Sequence, residues 1–167
     1  MSISQHLLTE FDAEMKTTRA LLERVPFDKA QFTPHPKSTA LGKLAPHVAE
    51  LPGFGLTILT TPELDFGTAP KAERPPFEKD GLLKFFDEGA ARTRAALAAL
   101  GDAAWTQNWK LGFGGKTIFV GERFLAYRQM FLNHLVHHRA QLGVYLRLND
   151  VPLPATYGPS ADDRMGF

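Results

Sequence analysis

The fold of this chain is decided by residues 122–149, which read ERFLAYRQMFLNHLVHHRAQLGVYLRLN. Apolar and aromatic side chains recur there at gaps of three and four, which is the spacing of one face of an α-helix. The members of this stripe are Phe124, Tyr127, Phe131, His134, His138, Leu142 and Tyr145. A second apolar edge, formed by Leu125, Leu132, Leu135 and Val136, predicts that this helix is buried on more than one side.

Two further helices have clear signals upstream. Residues 3–25 carry apolar side chains at helical spacing, Ser2 and Gln5 form a capping-box pattern, and Pro26 ends the segment. Another helix is predicted from about Asp80 to Leu100, because leucine and phenylalanine side chains line one face of it.

The remaining helix begins near Ser38 or Thr39 and contains two prolines, Pro46 and Pro52. Proline inside a helix removes a hydrogen-bond donor and crowds the carbonyl four residues earlier. Two interpretations stay open: the regular helix starts at Gly42, which places Pro46 in its first turn, or the helix is bent at this point.

Between the helices, residues 109–120 alternate around Gly114-Gly115, which predicts a short β-hairpin. Residues 61–78 hold four prolines and show no period, so they predict a long crossover connection or a functional lid. The predicted fold is all-α: an up-and-down four-helix bundle with a long crossover connection and a short β-hairpin before the last helix. We expect residues 1–167 to form one domain, whose last residues, 150–167, are an irregular tail.

Composition excludes several classes of protein. The chain has 167 residues, a net charge of +1 and no basic stripe, so nucleic-acid binding is not expected. It has no cysteine, which excludes disulfides, thiolate metal sites and a cysteine nucleophile. No uncharged apolar run is long enough to span a membrane, and the first residues lack the basic region of a signal peptide. These features predict a cytoplasmic protein without a membrane partner.

The apolar stripe of the last helix contains two histidines, His134 and His138, one turn apart on the same face. Each ring has two nitrogens that need partners when buried. They are either core histidines bonded to ordinary neighbours or two ligands of one metal ion. His47 occupies a similar stripe position on its own helix, so in a bundle the three rings can converge on one ion with a vacant fourth position.

Other patterns of catalytic or ligand-binding residues are missing. The sequence has no HExxH motif, no Glu-x-x-His motif, no GxSxG motif and no glycine-rich phosphate loop, so no organic cofactor is predicted. The histidines His6, His35 and His137 are left out of the predicted site, because their positions lie near a helix start, in a proline-rich loop and on another face of the helix.

The chain resembles the DinB/YfiT-like family in LAPHVAELPGFG around His47 and in NHLVHHRAQLGVYLRLNDVPLPATYGPSADD from Asn133 to Asp163. The hairpin before the last helix also resembles that family's. The resemblance implies a four-helix bundle, often a homodimer, with His47, His134 and His138 as ligands of a metal ion. Pro46 departs from the family pattern and leaves the regularity of its helix in question.

Families related to this one include thiol-dependent transferases. The function expected from the resemblance and the histidines is a metal-dependent transferase that activates a low-molecular-weight thiol for a small-molecule substrate. A metal-dependent hydrolase and a non-catalytic metal-binding module are the alternatives. The expected cofactor is a divalent zinc or nickel ion, with iron, cobalt and manganese as further options, since imidazole suits several of these metals.

Three further residues have two interpretations each. Glu50 is either a carboxylate beside His47, acting as a positioning group or base, or a surface charge. Arg139 either anchors an anionic substrate or pairs with an acid or a backbone carbonyl. Tyr157, in the tail, either reaches the site or packs elsewhere.

Overall fold

The computed structural model describes residues 2–164 and is mostly helical. Its helices are α1 Ile3–Leu22, α2 Leu41–Thr60, α3 Lys79–Ala99, α4 Asp102–Trp105, α5 Arg123–Ala126 and α6 Asn133–Leu148. A π-helix, Tyr127–Leu132, joins α5 to α6, and a 3-10 turn, Phe27–Lys29, follows α1. The strands are β1 Glu63–Asp65, β2 Asn108–Phe113 and β3 Lys116–Glu122.

The long helices share one hydrophobic core. Helix α3 packs on α1 and α2, and α6 packs on the same two helices from the other side. The stripe predicted for the last helix faces this core: Tyr127, Phe131 and Leu142 are fully buried, and Tyr145 is nearly so. Phe124, His134 and His138 of the same stripe are only partly buried, so the periodicity located part of the buried face of this helix.

The all-α prediction is incomplete, because the chain forms a three-stranded sheet in the order β1-β2-β3. The predicted hairpin is confirmed as β2 paired antiparallel with β3, and Gly114 and Gly115 supply its turn with positive φ angles. Strand β1 lies in the segment predicted to be a loop and pairs parallel with β2. Its three residues are too few to show a period, so only the pairing with β2 defines it.

Helix α2 begins at Leu41, which lies between the start predicted near Ser38 or Thr39 and the alternative start at Gly42. Both Pro46 and Pro52 lie inside the helix, with Pro46 past the first turn. Neither can donate to the preceding turn. The carbonyl of Pro52 accepts a hydrogen bond from Thr93 Oγ1 on α3 at 2.7 Å, which joins the two helices at this proline.

Two contacts bring α2 against the last helical segment. A Cβ atom on Gly55 would lie 2.8 Å from the ring of Phe131, so only glycine allows this approach. Arg123 donates to the carbonyls of Ile58 and Thr61 at the end of α2. Its buried guanidinium satisfies carbonyls that the end of a helix leaves without donors.

The second apolar edge of the last helix does not form a free surface. Leu132 and Leu135 are fully buried within the chain, whereas Leu125 is 41% exposed. The tail was predicted to be irregular over residues 150–167. Its described part, from Val151 to Arg164, has no regular secondary structure, and residues 165–167 lie outside the described residues. None of the described helices combines the length and apolar character needed to cross a bilayer.

Candidate metal centre

Three histidine rings meet where α2 faces α6. His47 lies in the second turn of α2, and His134 and His138 lie on successive turns of α6. The ring centroids are 5.2 Å apart for His47 and His134, 4.5 Å for His47 and His138, and 4.6 Å for His134 and His138. One nitrogen of each ring lies within 4.8 Å of the others. The predicted convergence of these rings is therefore present in the fold.

Each ring has an oxygen acceptor at its Nδ1 atom. His47 Nδ1 lies 2.7 Å from Glu50 Oε1, and His138 Nδ1 lies 2.7 Å from Gln141 Oε1. His134 Nδ1 lies 3.2 Å from the carbonyl of Met130. Carbonyl, amide and carboxylate oxygens accept, so each Nδ1 carries the proton and donates it. Each Nε2 then keeps an unshared electron pair.

The Nε2 atoms of His47 and His134 face each other at 3.4 Å. With both protons on Nδ1, neither Nε2 atom can donate to the other, so two acceptors oppose each other across this gap. A cation between them would satisfy both. Zinc ligands at about 2.0–2.1 Å in a tetrahedron lie about 3.3–3.4 Å apart, which matches the observed gap.

The surroundings keep two of the rings neutral. Burial, followed by repulsion from His47, lowers the pKa of His134. Burial also lowers the pKa of His138, and repulsion from His47 and His134 adds to the effect. Neutral imidazole is the form that binds metal, so these environments favour ligation.

Two cavities have histidines of the cluster in their walls. The first, of about 420 Å³, has His47, His138 and Glu50 in its wall together with Lys43 and Arg74. The second, of about 430 Å³, has His134 in its wall, and aromatic or aliphatic side chains dominate its lining. Those side chains are Phe54, Phe66, Leu111 and Met130.

The structure separates Glu50 from the other two uncertain residues. Glu50 is bonded to His47, as the interpretation of a positioning carboxylate expects. Arg139 is buried on another face of α6, where it contacts Glu14 Oε2 at 2.5 Å and Tyr157 Oη at 2.7 Å. Tyr157 also donates to Glu14 Oε1 and lies under the Arg139 guanidinium. The contacts of Arg139 are those of a paired buried cation, and the tail folds back onto α6 away from the histidine cluster.

Sequence reasoning missed Gln141, Met130 and the π-helix. Gln141 follows His138 by three residues, and Glu50 follows His47 by three, so a repeated spacing was available as a signal. The π-helix ends directly before the two histidines, and Asn133 N–H bonds back five residues to Arg128. π-Helical turns are frequent at functional sites. The spacing of apolar residues in the sequence does not distinguish such a turn from ordinary α-helix.

Comparison with known proteins bears on this arrangement. The sequence profile of the DinB superfamily matches residues 10–142. No curated protein sequence matches the chain. Among solved structures, a DinB-like protein from Bacillus cereus ATCC 10987 is 17% identical with a TM-score of 0.65, covering 90% of this chain and 95% of that chain. A DinB-like protein from Bacillus subtilis, YjoA, is also 17% identical with a TM-score of 0.67, covering 96% and 99%. At this identity the two structures establish similarity of fold.

Proposed function

This chain belongs to the DinB superfamily, and we propose that it is a metal-dependent transferase acting on a low-molecular-weight thiol. The observation that carries the proposal is the convergence of three histidine rings, each with a bonded Nδ1 and a free Nε2, in the walls of two cavities.

His47, His134 and His138 would hold a divalent ion, with zinc or nickel as our first candidates. Three neutral nitrogens and a vacant position are the usual ligand set of an open catalytic site. A bound divalent ion would lower the pKa of a coordinated thiol, so the protein itself needs no cysteine. Glu50, Met130 and Gln141 would orient the rings and fix their tautomers, which is the usual role of groups bonded to ligating histidines.

The two cavities supply the space that a two-substrate reaction needs. In the transfer, the thiolate sulfur forms a bond to an electrophilic carbon of the second substrate. The bond from that carbon to its leaving group breaks, and the leaving group departs with the electron pair. The proton of the thiol passes to solvent through the open first cavity. We assign the electrophile to the second cavity, because its aromatic and aliphatic wall favours an apolar molecule.

The test compares metal-loaded and metal-stripped protein with a chromogenic electrophile, chlorodinitrobenzene, and a panel of thiols. We expect thiol-dependent turnover only with the loaded protein, and its loss in His134→Ala but not in His6→Ala. If the loaded protein gives no thiol-dependent rate, the transferase is rejected. Hydrolysis with water alone would identify the hydrolase instead, and loading without any turnover would favour a binding module.

We propose further that the long helices form an up-and-down four-helix bundle in one domain, and that the protein is a cytoplasmic homodimer. The hairpin supports the dimer. Strand β3 is one of the two edge strands of the described sheet, and it exposes Ile118 and Val120 at 59% each. Exposed apolar pairs on an edge strand are typical of surfaces that associate.

A further inference from the structure

We propose that the first cavity recognises an organic anion, and that Arg74 and Lys43 bind its carboxylate. The inference rests on the proposed function only for the statement that this anion is the thiol substrate. The binding of a carboxylate in the cavity is a separate claim, supported by the residues that line it.

The first cavity has the size of a ligand site and a wall of mixed character. Its volume of about 420 Å³ falls within the range of pockets for small organic molecules. Leu44, Pro46 and Phe77 supply an apolar part of the wall, and His47 and His138 form the part next to the candidate metal centre. A ligand in this cavity therefore meets apolar surface, positive charge and the histidine cluster together.

The two cations of the wall have no partner among the residues that the structure describes. Neither the ammonium of Lys43 nor the guanidinium of Arg74 forms a hydrogen bond or an ion pair there. In contrast, Arg19, Arg94 and Arg139 are each bonded to a carboxylate. The donors of Lys43 and Arg74 are thus available to a ligand.

Both cations are carried by anchored backbone. Lys43 lies in the first turn of α2, four residues before His47, so the two residues share one face of the helix. Arg74 precedes the buried Pro75, and Phe77 packs on Phe27 with ring centroids 5.1 Å apart. These contacts fix the end of the proline-rich connection against the 3-10 turn and the hydrophobic core, and they hold Arg74 at the cavity.

The charge balance of the cavity favours an anion. Glu50 is the only carboxylate among the described residues that line it, and its Oε1 atom is occupied by His47. Two cations therefore face one carboxylate that is already bonded. Arginine binds carboxylates through paired N–H groups and lysine adds a point charge, so a small carboxylic acid matches these donors. Under the proposed function, that acid also carries the thiol.

The first experiment measures binding without turnover. Succinate and its uncharged diamide are titrated into the full chain stripped of metal, since a carboxylate also coordinates zinc, and amide shifts near Gly42 and Phe77 are followed by NMR. We expect succinate to bind at least about tenfold more tightly than the diamide. Arg74→Gln and Lys43→Gln should each weaken succinate binding about tenfold. Both side chains are exposed, so neither substitution threatens the fold.

The matched control is Lys71→Gln, an exposed cation of the same connection that does not line the cavity. It should leave succinate binding unchanged. Equal affinity for succinate and the diamide would overturn the proposal, and so would equal weakening by Lys71→Gln and Arg74→Gln.

A second experiment separates this proposal from the proposed function. Metal-loaded protein is assayed with mercaptosuccinate and with uncharged thioglycerol. A lower KM for mercaptosuccinate that rises about tenfold in Arg74→Gln supports both proposals. Turnover of both thiols with equal KM values overturns the anion site and leaves the transferase standing. Selective succinate binding without thiol turnover supports the anion site and rejects the transferase.

Discussion

The Nδ1 atom of His47 lies 2.7 Å from Oε1 of Glu50, one turn further along α2. This contact turns the opposite nitrogen, Nε2, towards His134 at 3.4 Å. A carboxylate that accepts a hydrogen bond from Nδ1–H fixes the tautomer and raises the basicity of the ligating nitrogen. Through this pair, a contact within α2 orients one ring of a candidate metal centre whose other two rings lie on α6.

The first prediction concerns metal content. Protein purified without added metal should contain about one divalent ion per chain. His134→Ala should lose most of this metal, because only two of the three imidazole ligands remain. Elemental analysis measures this directly. His6→Ala, an exposed histidine of α1, is the control and should keep its metal. Metal-free wild-type protein that also fails to bind added zinc would contradict the prediction.

Glu50→Gln should weaken metal binding without abolishing it. Groups bonded to ligating histidines typically contribute about 10–100-fold in affinity, and the amide is a poorer acceptor for His47 Nδ1–H. Competition with a chromogenic chelator gives the affinity. Glu88→Gln, on the exposed face of α3, should match the wild type. An unchanged affinity in Glu50→Gln would show that the carboxylate has no role in the site.

Arg139 should matter for stability and not for the metal. Arg139→Met leaves the carboxylate of Glu14 buried without its cation, which typically costs about 3–5 kcal/mol. Urea unfolding should show this loss, and Tyr157→Phe, which removes one hydroxyl from the same cluster, should cost about 1 kcal/mol. Metal content per folded chain should stay constant in both variants. Loss of metal in Arg139→Met would place this residue in the site after all.

Asp65 should stabilise the sheet in a pH-dependent way. The amide of Gly115, followed by that of Gly67, holds the pKa of the Asp65 carboxyl below its usual range. A group with a lowered folded pKa stabilises the fold above its unfolded pKa of about 3.9 and loses that effect as the pH falls through the folded pKa.

Asp65→Asn should therefore lower the urea midpoint at pH 7, by an amount that shrinks below about pH 4. Asp28→Asn, an exposed aspartate of the 3-10 turn, provides the comparison at each pH. A midpoint difference that stays constant down to pH 3 would show that the carboxylate charge does not contribute.

The homodimer prediction is tested at β3. Wild-type protein should sediment as a dimer at micromolar concentration, and Val120→Asp should shift it to the monomer, because a charge replaces an exposed apolar side chain. Val144→Asp, equally exposed on α6, should remain dimeric. A single 18.5 kDa species of the wild type would reject the dimer.

Local pattern was enough to predict the four long helical segments and the hairpin, but not the short helix α4 or the π-helix. The stripe in residues 122–149, the period of residues 3–25 and the Gly114-Gly115 turn each lie within one continuous segment, and a helix or hairpin expresses its spacing within that length. Strand β1 escaped prediction because Glu63–Asp65 becomes a strand only by pairing with β2, some 45 residues later in the chain. The second apolar edge was identified, but the sequence did not show that α1 and α2 are the elements that pack on α6.

By itself, the sequence determined which histidines share a helical face, because a spacing of four residues places His134 and His138 one turn apart in any helix. Tertiary packing decided the rest. The glycine at position 55 and the guanidinium of Arg123 bring α2 against the last helical segment, and this places His47 opposite the other two rings. The two cavities and the pairing of Arg139 with Glu14 likewise depend on contacts between residues far apart in the chain. The oxygens bonded to the three Nδ1 atoms, in contrast, lie only three or four residues from each histidine.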